Sequence, residues 1–438
     1  MIFLLDLILI LNLYIAYRYF KYIVSPPFLM GVGMLLASLI ATIYYYEWDI
    51  YDMSFDTVLI IGGGTMLFTF YCILFSHKKV YMPRYNKEKA QLIVINKGDL
   101  KVVLCLLIMG GAMGCYAKYA LFASLFGERL DLPSLILAAR EEFVDKSTSF
   151  ELPFYIKLLS YSNSLFLGFS IWILVVQLIS RKRDLILIIL LLCQIFVVCV
   201  DGMFSGAKGA MMDPFIYFII VYILLSCYVR NSYNMPMSFY KKIIGLFIFL
   251  VLVFGSFNAI LGRGLDIKST DFFAAYCGAE IKNFDTYIQN PAKFGESKYF
   301  YGSTFGNLYN SLGIKKEESS TLYNSVNGNY LGNVYTQFYS FHRDGGFWGI
   351  AIILLLIAFL SMKVYCSVIK SLRSDLVNPT VSLLAYLWMA NSLFMSFFSS
   401  RFTEGVVQLG FLKSIILYMV MLLLYKRTMV KKNIINIK

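Results

Sequence analysis

The sequence predicts an all-α polytopic membrane protein of about eleven transmembrane helices, interrupted by one large polar loop. Three observations predict it. Of 438 residues, 59% are hydrophobic and 15% charged, with a mean hydropathy of +0.69; soluble chains run nearer about 45–50% apolar and about 25% charged. Apolar stretches of the roughly 20 residues needed to cross a hydrocarbon core recur along the chain. The connectors between them alternate in charge, as the positive-inside rule requires.

The spans fall at roughly 1–20, 26–46, 56–76, 101–126, 154–180, 185–203, 210–229, 243–261, 346–366, 379–398 and 406–425. The first has no basic leader and no small-residue cleavage site ahead of Ser25-Pro26-Pro27, so it reads as a span rather than a signal peptide. The connectors at Arg18/Lys21, 77–101, Arg181-Lys182-Arg183, 230–242 and 363–373 are basic, as is the tail from Lys426, and all are expected in the cytoplasm. Those at Glu47-Trp48-Asp49, 127–153, Asp201–Asp213, the long loop and Arg401–Glu404 are acidic or mixed and expected outside. The N-terminus is then outside and the C-terminus cytoplasmic. The chain divides into a membrane segment 1–262, an extracytoplasmic loop 263–345, and a membrane segment 346–438 with a cytoplasmic tail.

Gly62-Gly63-Gly64, Gly33/Ala37 and Gly110/Gly114 set small residues at spacings that predict close helix packing. Apart from the terminal turns counted with the connectors, charge within the spans is confined to Asp6, Lys118, Lys157 and Lys413, each expected within reach of a membrane face. The net charge of +13 is scattered over connectors, which suits anionic lipid and gives no stripe for nucleic acid. Eight Cys and two His lack zinc spacing, and no metal or cofactor is expected.

Five cations on the outer side break the charge trend: Arg140, Lys208, Arg263, Arg343 and Arg401. Together they suit a phosphate or pyrophosphate, guanidinium gripping it bidentately and ammonium as a point charge. His342 is the one imidazole on that side and has the pKa for a general base, although it could equally orient the start of the ninth span. The loop mixes aromatic residues with small polar ones, and Tyr301, Tyr309, Asn333, Tyr335 and Tyr339 are candidate sugar contacts. A folded loop or an interfacial helix would need the same composition.

Eleven spans with one dominant loop resemble the Wzy-type polymerases of bacterial O-antigen, capsule and exopolysaccharide repeat units. So do a Gly/Ser-flanked cation after the sixth span (Ser205 to Gly209) and the Asn333-Val334-Tyr335-Thr336 … Asp344-Gly345-Gly346-Phe347-Trp348-Gly349 run. Many such polymerases carry Arg where this chain has Lys208, which leaves open how that position grips its ligand. The resemblance implies the GT-C-like architecture of lipid-linked glycosyltransferases, in the bacterial inner membrane. It implies transfer of the growing glycan from polyprenyl pyrophosphate to the non-reducing end of a new lipid-linked repeat unit. The five cations would stabilise the leaving group, and His342, then Asp344 or Glu404, would be the base. Expected partners are the polyprenyl-pyrophosphate-linked oligosaccharide, membrane lipid, a chain-length regulator and a flippase. A lipid-linked glycan ligase would share nearly all these features. A transporter or flippase would instead show mid-membrane charges and related halves with interrupted helices.

Overall fold

The computed structural model describes residues 1–76, 91–95, 97–127, 131–140, 152–180, 183–204, 209–230, 237–239, 269–295, 299–314, 322–372, 379–428 and 430–436, with single positions at 241, 245 and 297. The expected eighth span, 243–261, lies outside the described residues, as do Lys208 and Arg263 and the side chain of Arg140.

In chain order the helices are α1 (Ile2–Phe20), α2 (Pro26–Ile43), α3 (Phe55–Phe75), α4 (Lys97–Phe126), α5 (Leu132–Arg140), α6 (Phe154–Ile179), α7 (Leu185–Phe204) and α8 (Gly209–Arg230). The loop follows with α9 (Ser269–Cys277), α10 (Ala279–Gln289) and α11 (Gly302–Ser311). Then come α12 (Gln337–Ser371), α13 (Val381–Phe397), α14 (Arg401–Gly405) and α15 (Leu409–Thr428). Among the described residues, eight helices are long and apolar enough to cross a membrane: α1, α2, α3, α4, α6, α7, α8 and α12. The chain is a multi-pass, helical membrane protein. The expected tenth and eleventh spans appear as shorter apolar helices, α13 and α15.

Two short antiparallel ladders depart from the all-helical expectation: β1 (Gln91–Ile95) with β4 (Val430–Asn436), and β2 (Asn324–Val326) with β3 (Asn329–Gly332). Asn327 and Gly328 turn the second at φ 50 and 77. That is the Asn-Gly pair which a two-residue hairpin with positive φ at both central positions favours.

The chain forms two compact units. The first comprises 1–82, 270–370 and 385–416; the second comprises 83–269, 371–384 and 417–438. Loop residues from 270 onward thus belong with the first three helices, a different division from 1–262, 263–345 and 346–438.

In the first unit the predicted glycines mark close helix approaches. A Cβ on Gly62 would stand 3.0 Å from Ile8 of α1, and one on Gly64 would stand 2.5 Å from the Phe338 ring. A Cβ on Gly33 would fall on the Phe394 carbonyl oxygen. Helix α3 takes one π turn at Leu59–Gly63, beside these contacts.

Helix α12 is two helices. Gly345 (φ −153, ψ 17) and Gly346 (φ 56, ψ −145) break it, and only glycine readily takes the second conformation. The part from 347 to 371 is the apolar, membrane-crossing one. The part from 337 to 344 folds back on it, since a Cβ on Gly349 would lie 2.5 Å from the Phe341 carbonyl oxygen. Eight residues apart in one continuous helix, the two would be separated by about 12 Å.

In the second unit Gly110 and Gly114 of α4 face Leu159 of α6, where Cβ atoms would stand 3.4 and 3.3 Å away. Lys118 of α4 is buried and paired. Its Nζ donates to Asp201 Oδ1 of α7 at 2.6 Å, and Ser160 Oγ of α6 donates to the same oxygen at 3.0 Å. Asp6 of the first unit is likewise bound, accepting from Ser38 Oγ at 2.6 Å and Thr42 Oγ1 at 2.9 Å.

Candidate functional site at the loop end of the first unit

The loop is organised on α10, which buries charge as well as apolar surface. Asp285 is fully buried and caps the start of α3, accepting from Ser54 N at 2.9 Å and Thr57 Oγ1 at 2.8 Å. Lys282 donates to the Asp49 carbonyl at 2.8 Å and sits 3.6 Å from Asp285. Asn283 donates to the carbonyls of Leu331 and Val334, tying the β2–β3 hairpin to α10. Of the buried charged and amide side chains of α10, all except Glu280 have a partner, so this helix is folded over the ends of α2 and α3.

Glu280 is the exception. It is 0% exposed, and neither carboxylate oxygen has a hydrogen-bond partner among the described residues. Burial pushes its carboxyl well above the ordinary 4.5, so it is held as the neutral acid.

Of the three candidate bases, Asp344 is spent on structure. Its Oδ1 accepts from Ser303 N at 3.2 Å and its Oδ2 from Thr304 N at 2.6 Å. A carboxylate on the first amides of α11 is a helix cap supplied from elsewhere in the chain. Glu404 of α14 accepts from Ser399 Oγ at 3.0 Å and Ser400 Oγ at 3.1 Å, with no cation within ion-pair range among the described residues. His342 stands at the end of the short half-helix, its Nδ1 3.0 Å from the Tyr287 hydroxyl. Burial lowers its pKa from the ordinary 6.5, against an opposing pull from Asp56, so the imidazole is neutral at pH 7.

Of the five candidate cations, two are described in full. Arg343 is a structural clamp, donating from Nε to the Gly295 carbonyl at 3.2 Å and from Nη1 to Ser303 Oγ at 2.7 Å. Arg401 is different. Its Nε is buried without a hydrogen-bond partner, and no carboxylate lies within ion-pair distance among the described residues. Its guanidinium stands 5.1 Å from the centre of the Phe398 ring, which Tyr276 packs against at 4.4 Å. Asn307 of α11 reaches across to the Glu404 carbonyl at 3.1 Å, and Ser340 meets Ser400 at 3.4 Å. The structure thus brings Arg401 and Glu404 together on one short turn and fastens α11 and the half-helix to it.

The candidate sugar contacts require correction. Tyr335 and Tyr339 are 3% and 4% exposed and pack with Tyr287 and Phe294 as the aromatic core of the loop. Tyr301 takes φ 52 and sets its hydroxyl against Gly345, where a Cβ would stand 2.8 Å away, so it supports the helix break. Tyr309 donates to the Phe300 carbonyl at 2.6 Å. Asn333 is partly exposed, with no hydrogen-bond partner among the described residues. Aromatic surface is offered instead by Tyr323 and Tyr330, exposed and stacked at 5.9 Å, and by Phe300. The sequence signal for that pair was the aromatic residues on either side of the Asn-Gly turn.

No protein-family model, curated protein or solved structure matches this chain.

Proposed function

We propose that the protein polymerises lipid-linked oligosaccharide repeat units on the outer face of the bacterial inner membrane. The single observation that carries this reading is Arg401, a half-buried guanidinium with an orphaned Nε and no counter-charge among the described residues, at the loop end of a helical membrane unit. A buried guanidinium N–H without an acceptor is costly, so it fits a site whose anion arrives with the ligand. A polyprenyl pyrophosphate brings that anion to the headgroup level.

In the proposed reaction an acceptor hydroxyl attacks the anomeric carbon of the nascent glycan. The new carbon–oxygen bond forms as the bond to the pyrophosphate oxygen breaks. The bonding pair leaves with the pyrophosphate, whose growing charge Arg401 stabilises. The hydroxyl proton passes to Glu404, whose carboxylate is oriented by two serine hydroxyls. Membrane lipid, a flippase and a chain-length regulator are the proposed partners. Fixed cations supply the electrostatic work, and the reading calls for neither metal nor cofactor.

Interrupted helices favour a second reading, a flippase or transporter. Helix α12 breaks at Gly345–Gly346, α13 ends in a 3-10 turn at Met395–Phe397, and the buried Thr336 Oγ1, Gln337 Oε1 and Ser396 Oγ near these breaks lack partners. One experiment separates the two. Purified protein in vesicles is given isolated lipid-linked repeat units, and both product length and transbilayer movement are followed. A ladder of products supports the polymerase; movement without a ladder overturns it in favour of transport.

A further inference from the structure

The His342 imidazole has two edges in different surroundings. Its Nδ1 faces the Tyr287 hydroxyl at 3.0 Å, and Tyr287 is 3% exposed. Its Nε2 edge has no hydrogen-bond partner and is not buried. Which edge carries the proton follows from the tyrosine. The Tyr287 hydroxyl has one hydrogen to donate, and among the described residues Nδ1 is the acceptor it meets. If Nδ1 held the proton instead, the hydroxyl hydrogen would be left unsatisfied in a buried site, which folded proteins avoid. Tyr287 cannot donate as the phenolate, and burial raises its pKa. A neutral imidazole bonded through Nδ1 carries its proton on Nε2.

The surroundings of that open edge identify what it meets. Phe347, 56% exposed, stands edge-on to the imidazole with ring centres 5.6 Å apart. The exposed carboxylate of Asp56 is close enough to act on the ring's charge. Arg343 and Asp344 act on the charge of Tyr287 and are engaged with Gly295 and with α11. An N–H donor beside an aromatic ring suits a neutral saccharide, whose hydroxyls take hydrogen bonds and whose C–H faces lie on rings.

We propose that Tyr287 is a positioning residue that fixes His342 in the Nε2-protonated form, and that His342 and Phe347 form a saccharide subsite in which His342 is a hydrogen-bond donor rather than a base. The subsite rests on the reading of this end of the molecule as glycan-facing. The tautomer does not.

The test needs no turnover. The chain has two histidines, so a His77→Gln protein labelled with nitrogen-15 histidine reports His342 alone by NMR. Above the imidazole titration, the expected pattern is a protonated Nε2 and a bare Nδ1, with Tyr287→Phe mixing the two forms. Oligosaccharide released from the isolated lipid-linked repeat unit should shift the Nε2 resonance, and inorganic pyrophosphate should leave it in place. A protonated Nδ1 overturns the positioning role, and an Nε2 signal unmoved by the oligosaccharide, or moved by pyrophosphate alone, overturns the subsite. In the polymerisation assay His342→Gln, which keeps an N–H donor, should retain most turnover, while His342→Ala should lose about tenfold, the value of one hydrogen bond. A shifted Nε2 with no product ladder would leave the subsite standing and remove the polymerase reading.

Discussion

Arg401 in the first unit and Lys118 in the second are both cations in largely apolar surroundings, and the fold handles them in opposite ways. Lys118 is neutralised: its ammonium lies 2.6 Å from Asp201, with side-chain exposures of 7% and 12%, and Ser160 completes the cluster. Arg401 is left open, with an aromatic ring under its guanidinium and no hydrogen bond to its Nε. A charge paired inside a bundle has its field spent locally and serves packing and register. A charge without a partner keeps its field for whatever enters. The contrast separates a structural cation from a functional one more sharply than position in the sequence does.

The largest expected effect falls on the paired cation. Lys118→Met leaves Asp201 buried and uncompensated, a change that costs about 3–5 kcal/mol when one partner of a buried pair is removed. Thermal unfolding in detergent should show it, and the double variant Lys118→Met/Asp201→Leu should regain most of the loss. A single variant as stable as the parent would break the contrast from one side. Arg401→Ala should do the reverse, leaving the melting temperature near the parent's while lowering polymerisation about 10²–10³-fold, the scale of one lost charge-stabilising donor. Normal ladders from Arg401→Ala would break it from the other side.

Two smaller effects sharpen the picture of the loop. Asp344→Asn weakens the cap on α11 and should cost about 0.5–2 kcal/mol of stability, with little change in turnover per folded molecule. A rate loss of several orders of magnitude would return Asp344 to the role of base. The last concerns Glu280, whose carboxyl is raised above its unfolded value, so the native state holds a proton that the unfolded chain gives up. Its contribution is fully present below the unfolded value of 4.5 and is lost as pH rises toward the folded value. Glu280→Gln should therefore melt higher than the parent at about pH 8, by about 2–4 °C per kcal/mol recovered, and converge with it near the unfolded carboxyl value. Parallel profiles would show that Glu280 is ionised and partnered.

Much of the scaffold was legible because burial in lipid writes itself into composition. The long apolar runs, the polar loop, the glycine contacts and the break at Gly345-Gly346 all follow from one-dimensional signals. The site was less legible, because a residue type does not say which of its possible partners it will meet. Arg343 and Arg401 look alike in sequence, yet one is tied to Gly295 and Ser303 and the other is open. Asp344 reads as a free carboxylate until α11 is folded onto it. Tyr335 and Tyr339 read as sugar platforms, but both are buried against Tyr287 and Phe294 in the loop core. Lys118 and Asp201, 83 residues apart, had no local signal at all.

Arg401 is proposed to meet the ligand's anion, and binding tests this most directly. A polyprenyl pyrophosphate is titrated onto the purified parent, onto Arg401→Gln, and onto Lys118→Met/Asp201→Leu, at low and at moderate salt. The account predicts at least about tenfold weaker binding for Arg401→Gln, most clearly at low salt, where charge is least screened, and parent-like binding for the double variant. Equal affinity for all three proteins, or a loss confined to the double variant, would contradict it.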